Sequence, residues 1–264
     1  MRERQYRRLI RRLFIFAATS LVPLSSAYSQ AMSPPVADSM NRKVIVIGFV
    51  GGFVRHDDTK HAEVQFATRL RQRYPSAIDV KVFGNHSGQE ALRHVLRLID
   101  TDRDGILTAI EKAQARIIIF GHSWGATETV MLARELERKH IPVLLTIQVD
   151  SIAKPGQENF TIPANVANAV NFYQSTGLLH GRSEILAMDP GRTNIIGNFQ
   201  MTYKDHPINV DRFPWFARVF TRPHIEIEND PRVWAQAASL IDQQLSGARS
   251  TASASSPYQS ALPR

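Results

Sequence analysis

"RIIIFGHSWGATETV", Arg116 to Val130, joins an unbroken apolar, β-branched run to a glycine-flanked serine and then to a helix-forming segment. The apolar run Arg116 to Phe120 is too uniformly hydrophobic for a half-exposed strand and reads as one buried on both faces. "GHSWG", Gly121 to Gly125, fits G-x-S-x-G. A serine on a sharp strand-to-helix turn has its hydroxyl pointing outward, and the flanking residues must be small because the backbone folds back on itself. The helix that follows aims its free N–H groups and positive dipole end at the serine. Ser123 is therefore the candidate nucleophile, and the Trp124 N–H a candidate oxyanion donor.

The surrounding chain repeats this strand–helix alternation. Lys43 to Ile47 and Ala77 to Phe83 read as strands, as do Val143 to Val149 and Ala169 to Gln174. Helical periodicity covers Lys60 to Tyr74 and Gln89 to Ile99, and a final amphipathic helix is expected over Asp230 to Leu245. Alternating strands and helices imply an α/β fold, a mostly parallel sheet covered on both faces. Residues 175–223 carry no clear period and read as hairpins and loops packed on the active end of the sheet.

The 264 residues, 43% apolar and 21% charged, suffice for one domain with a full core. The formal charge is +8, but six arginines against one glutamate in residues 1–30 contribute +5 of it. The remainder is only mildly basic, so no nucleic-acid partner is expected. The chain has no cysteine, which excludes disulfides and thiolate chemistry. Clustered arginines, the apolar run Leu13 to Leu24 and small residues after it have the order of a secretory signal over residues 1–30. "RRLFIF" (Arg11 to Phe16) also resembles a twin-arginine signal. A periplasmic or secreted protein is expected, with no stable membrane span after cleavage; the alternative is an uncleaved anchor. A linker follows at 31–42, then the domain at 43–246 and a Ser/Ala-rich disordered tail at 247–264.

An activated serine needs a histidine, and the histidine an orienting carboxylate. His140, His180, His206 and His224 follow the serine. His224, just before the final helix, is favoured, with His206 next. His140 ends the helix after the serine and faces the wrong end of the sheet. The side chain of His122 must point away from the serine, so it is expected to pack or cap. The acid candidates are Asp150, Asp189, Asp205 and Asp211. Asp150, at the carboxyl end of an apolar strand, is favoured over Asp189. A second oxyanion donor should come from "GFVGG", Gly48 to Gly52, with Phe49 or Val50 supplying the N–H.

"DTDRDGILTAIE", Asp100 to Glu111, matches the calcium loop D-x-D-x-D-G-x5-E at its defining positions. Asp100, Asp102 and Asp104 would supply carboxylates, Ile106 its carbonyl, Thr108 the ninth position and Glu111 a bidentate ligand. The exiting helix has room for little more than one turn and there is no second loop, so a static clip is expected rather than a sensor. No cofactor is expected for catalysis; Ca2+ would be structural. "RHDDTKH", Arg55 to His61, matches no metal motif and reads as a solvated loop near the mouth of the site.

The sequence resembles the α/β-hydrolase superfamily, and within it exported bacterial proteins of lipase/esterase type. The resemblance is carried by "VIVIGFVGG", "RIIIFGHSWGATETVMLARELERKHIPVLLTIQVDSI", "IPANVANAVNFYQ", "AMDPGRTNIIGN" and "HIEIENDPRVW". It implies an α/β-hydrolase fold and a triad of Ser123, Asp150 and His224. Ala126 stands where many lipase-like members have a second glycine. A serine hydrolase acting on a small-molecule or lipid ester is the resulting expectation, with small or medium acyl groups favoured because no large lid insertion is visible. A thioesterase or peptidase on the same triad, and a non-catalytic calcium-dependent binding protein, are the alternatives.

Overall fold

The computed structural model describes residues 43–254, with side chains to residue 246; the expected signal segment, the whole linker and the end of the tail lie outside the described residues. In chain order the elements are β1 (Val44–Phe49), α1 (Ala62–Arg73), β2 (Ile78–Phe83), α2 (Gly88–Ile99), α3 (Ala109–Ala113), β3 (Ile117–His122) and α4 (Trp124–Arg138). They continue with β4 (Val143–Val149), β5 (Thr161–Ile162), β6 (Val166–Tyr173), β7 (Leu186–Ala187), β8 (Asn194–Gln200), α5 (Trp215–Glu228) and α6 (Pro231–Ala254).

Six strands form one sheet in the order β2-β1-β3-β4-β6-β8, and every neighbouring pair is parallel. Both faces are buried, as the apolar runs required. Val44, Val46, Ile118 and Phe120 face one layer, where Phe66 and Leu70 of α1 meet Trp234 and Ile241 of α6. Ile45, Ile47, Ile117 and Ile119 face the other, against Leu92 and Val95 of α2 and Val130, Leu132 and Leu136 of α4. Consecutive residues of one strand thus feed two cores, which is why β1 and β3 tolerate no polar alternation. The fold is α/β, a parallel sheet flanked by helices, with no large cap domain among the described residues. None of the described helices is long and apolar enough to cross a membrane.

The region 175–223 departs from expectation. In place of hairpins it supplies β8, a sixth parallel strand at the sheet edge, and the two-residue strand β7, parallel to β5. "NIIGNFQ" is half-exposed and broken by asparagine and glycine, so it lacks the apolar signature of the inner strands. Helix α5 begins at Trp215, well before the position expected for a loop-borne His224. It bends at Thr221 (φ −132°, ψ 23°), ahead of Pro223. Pro223 stands in the first turn of the second segment, where its missing N–H leaves no bond unmade. Helix α6 continues past residue 246, the expected domain end, to Ala254.

β1 is flanked by β2 on one side and β3 on the other, so the connections diverge there and open a crevice at the strands' carboxyl ends. The serine turn and the glycine loop after β1 both lie at that crevice.

Candidate active site

Ser123 sits between β3 and α4 with φ 57° and ψ −125°, a strained backbone for a residue with a side chain. The neighbouring glycines are sterically required. A Cβ on Gly121 would fall 2.5 Å from the Gly125 backbone, and one on Gly125 would collide with the Phe49 carbonyl. Ala126 is fully buried and fits at the position where a glycine was the alternative.

Three of the expected residues converge. His224 Nε2 lies 2.9 Å from Ser123 Oγ, and His224 Nδ1 lies 2.6 Å from Asp150 Oδ2. All three are buried, with Asp150 at 0% exposure. Asp150 also accepts hydrogen bonds from the Gly181 N–H (2.7 Å), the Gln174 amide (2.9 Å) and the Gln174 N–H (3.4 Å). Burial pushes its carboxyl up, but the bonds from His224, Gln174 and Gly181 outweigh it and hold the group below the usual aspartate range. The His224 imidazole is shifted down, first by burial and then by the neighbouring His122 charge, against the pull of Asp150. It is thereby kept neutral and basic toward the serine hydroxyl near neutral pH.

The competing candidates lie elsewhere. Asp189 accepts from the Gly191 N–H at 2.9 Å and shapes a turn. Asp211 pairs with Arg218 at 2.6 Å. Asp205 and His206 are exposed, and His180 bonds only the adjacent Gly181 carbonyl, at 3.3 Å. His140 ends the segment after α4 with φ 58°.

The donor loop requires a correction. Val50 donates its N–H to the Phe83 carbonyl at 3.1 Å, so it remains in the sheet. Phe49 is the last residue of β1, and ladder alternation turns its N–H toward β3, where it is register-paired with Gly121. Neither N–H faces the crevice. The strand runs further than the glycines suggested; the Gly51 N–H goes to Glu63 at 3.3 Å, and the N–H groups after it belong to Gly52 and Phe53. Asn85, buried after β2, holds this loop by donating its amide to the Gly51 carbonyl (3.2 Å) and to that of Gly52. The Trp124 N–H is in the first turn of α4, where no helical partner exists. Phe53, 95% exposed, packs edge-on against Trp124 at 5.4 Å between centroids, and Lys154 stands over the Trp124 ring at 5.8 Å.

Sequence reasoning passed over Gln174, Gly181 and Asn85. Gln174 offered a signal: it directly follows β6, the strand after which an acid was sought and not found. Gly181 is required because a Cβ there would lie 2.5 Å from the Asp150 backbone. His61 differs from expectation, whereas His122 packs, one of the two roles expected of it. His61 is no part of a solvated loop: its side chain is 16% exposed and bonds Glu228. The His122 ring is buried against that of His224, with centroids 4.5 Å apart. Its imidazole is pushed up to about 9; burial opposes this, but Glu63 and Glu228 prevail.

In the acidic loop, ligand atoms of Asp100, Asp102 and Asp104 lie within 4.8 Å of one another, and Gly105 has φ 84°. Asp100 Oδ1 is buried without a hydrogen-bond partner among the described residues. This all-oxygen set fits a hard cation such as Ca2+. Glu111 is differently occupied: its two oxygens accept from the N–H and hydroxyl of Thr101 and of Thr108, at 2.7–3.0 Å. These bonds hold its carboxyl down at about 2. The Ile106 side chain is 70% exposed on the loop, and Thr108 caps α3.

No protein-family model matches the chain, and no curated protein matches it. Among solved structures the chain is similar to a cutinase-like protein from Cryptococcus sp., 12% identical, with 77% of this chain and 95% of that one covered and a TM-score of 0.40. It is also similar to a protein described as a hydrolase of the alpha/beta superfamily from Xanthomonas campestris pv. campestris, 10% identical, with coverage of 75% and 99% and a TM-score of 0.35.

Proposed function

We propose that the chain is an exported serine hydrolase that cleaves carboxylic esters through an acyl-enzyme. The observation that carries this reading is the continuous hydrogen-bonded line from Ser123 Oγ through His224 to Asp150, at 2.9 and 2.6 Å. In the proposed reaction His224 Nε2 takes the hydroxyl proton as Ser123 Oγ bonds to the ester carbonyl carbon. Asp150 accepts from Nδ1–H and stabilises the imidazolium without itself taking the proton. The oxyanion is held by the Trp124 N–H and a donor from Gly52 or Phe53. The alkoxide leaves with the proton from His224. Water, deprotonated by the same imidazole, then releases the acid and restores Ser123.

The surface of α5 favours an apolar substrate. Trp215, Phe216, Val219 and Phe220 are each more than half exposed on the helix that carries His224. Such a cluster suits contact with an acyl chain or an ester aggregate more than with a small soluble ester. Ca2+ is proposed as a structural ion in the loop of Asp100, Asp102 and Asp104, with Glu111 joining only by leaving Thr101 and Thr108.

Fluorophosphonate labelling of the purified chain tests the activated serine. Labelling mapped to Ser123 and abolished by Ser123→Ala is the expected outcome. An unlabelled wild type would remove the mechanism and favour a binding protein. A panel of ester, thioester and peptide substrates then separates the esterase from its thioesterase and peptidase alternatives.

A further inference from the structure

Behind the triad lies a second constellation that ester cleavage does not use. It comprises His61 and Glu63 at the start of α1, His122 at the end of β3 and Glu228 at the end of α5. Glu63 is 0% exposed and Glu228 4%, and the side chains of His122 and His61 are 5% and 16% exposed. One ligand atom from each of His61, Glu63 and Glu228 lies within 4.8 Å of the other two. His122 stands between the carboxylates, its Nδ1 3.6 Å from Glu63 Oε1 and 3.8 Å from Glu228 Oε2.

Two buried carboxylates need positive charge beside them. Yet 3.6 and 3.8 Å are too long for hydrogen bonds. Glu63 Oε2 is moreover buried with no hydrogen-bond partner among the described residues. Glu228 offers one oxygen to each histidine: Oε1 lies 2.7 Å from His61 Nδ1, while Oε2 faces His122. The imidazole and two carboxylates of His61, Glu63 and Glu228 suit a borderline divalent ion rather than calcium, which takes oxygen alone. Three protein ligands leave the fourth position of a tetrahedral ion to water.

We propose that His61, Glu63 and Glu228 bind one zinc-type divalent ion, beside His122, that ties the start of α1 to the end of α5 next to the strand bearing Ser123. Its access is from the His61 side, the most exposed of the three. Glu63 also accepts from the Gly51 N–H at 3.3 Å, so the same centre braces the loop after β1.

The test uses the untagged full chain, stripped with chelator, and reads no turnover, so its outcome is independent of the hydrolase reading. Calorimetric titration should show one Zn2+ per chain, with a higher Tm. Co2+ should give the intense visible bands of a tetrahedral nitrogen–oxygen site. His61→Ala and Glu228→Gln should each lose the Zn2+ event, and Asp102→Asn in the acidic loop should keep it. Absence of stoichiometric Zn2+ binding and of a tetrahedral Co2+ spectrum in the wild type overturns the proposal. So does Zn2+ binding that survives in both His61→Ala and Glu228→Gln. The cobalt spectrum needs no variant, so a substitution that fails to fold does not remove the test.

Discussion

Ser123 Oγ can become a nucleophile only while His224 is neutral. Burial and the nearby His122 charge shift His224 below its ordinary value, which is about 6.5. Protonation of this group removes the base, so activity should fall as pH drops through its shifted value. The acid limb of kcat/KM should therefore have its midpoint below about 6.5. A midpoint above that would mean that His122 carries no charge or that another base acts. At this scale the sequence was legible where chemistry dictates a motif. Gly121, Ser123 and Gly125 are tied to one another by sterics within five consecutive residues. Gln174 could have been sought from its place after β6, whereas Gly181 and Asn85 were not legible, because their partners reach them only after the strands are aligned. Phe49 and Val50 were misjudged because both N–H groups stay in the sheet; the Gly51 N–H is taken by Glu63, and the candidate donors come after it.

Among the elements, α5 resisted reading the most. Trp215, Phe216, Val219 and Phe220 face solvent and do not mark a core face, and the bend at Thr221 separates them from the buried Ile225 and Ile227 of the second segment. Replacing Trp215, Phe216, Val219 and Phe220 together with serine should leave turnover of a short soluble ester within about twofold, since such surface positions away from the core change stability little. The same variant should lose most activity on emulsified long-chain esters. Equal activity of both proteins on the emulsion would show that the patch plays no part in substrate contact. The acidic loop, by contrast, was legible as a turn, because the spacing of Asp100, Asp102 and Asp104 and the glycine at 105 dictate its shape. Removing calcium should lower Tm, and Asp102→Asn should abolish that dependence. A chelator-insensitive wild type, measured by thermal unfolding with and without added Ca2+, would make the loop a plain turn. Glu111 was readable as a partner of the loop but not as one already engaged by Thr101 and Thr108.

For the molecule as a whole, the sheet was legible in its centre and obscure at one edge. β1, β3 and β4 serve two cores at once, and this demands the continuous apolar runs from which they were recognised. Ile118 is fully buried beneath α1 and α6. Its replacement by alanine should cost about 2–5 kcal/mol of stability, measured by chemical denaturation. A much smaller cost would mean that the core closes around the gap. β8 escaped recognition because an edge strand answers to a different demand. It carries Asn194, Gly197 and Asn198 where an inner strand would carry valine, and its register against β6 shifts between Ala169 and Val170. Asn194 and Asn198 spend side-chain hydrogen bonds on Asn168 and Asn171 of the neighbouring strand. A parallel sheet that ended in a straight, apolar strand would invite another chain to add to it. The irregular, amide-rich border of this sheet offers a poor template for such growth, so the feature that hid β8 also guards the protein against edge-to-edge aggregation at high concentration.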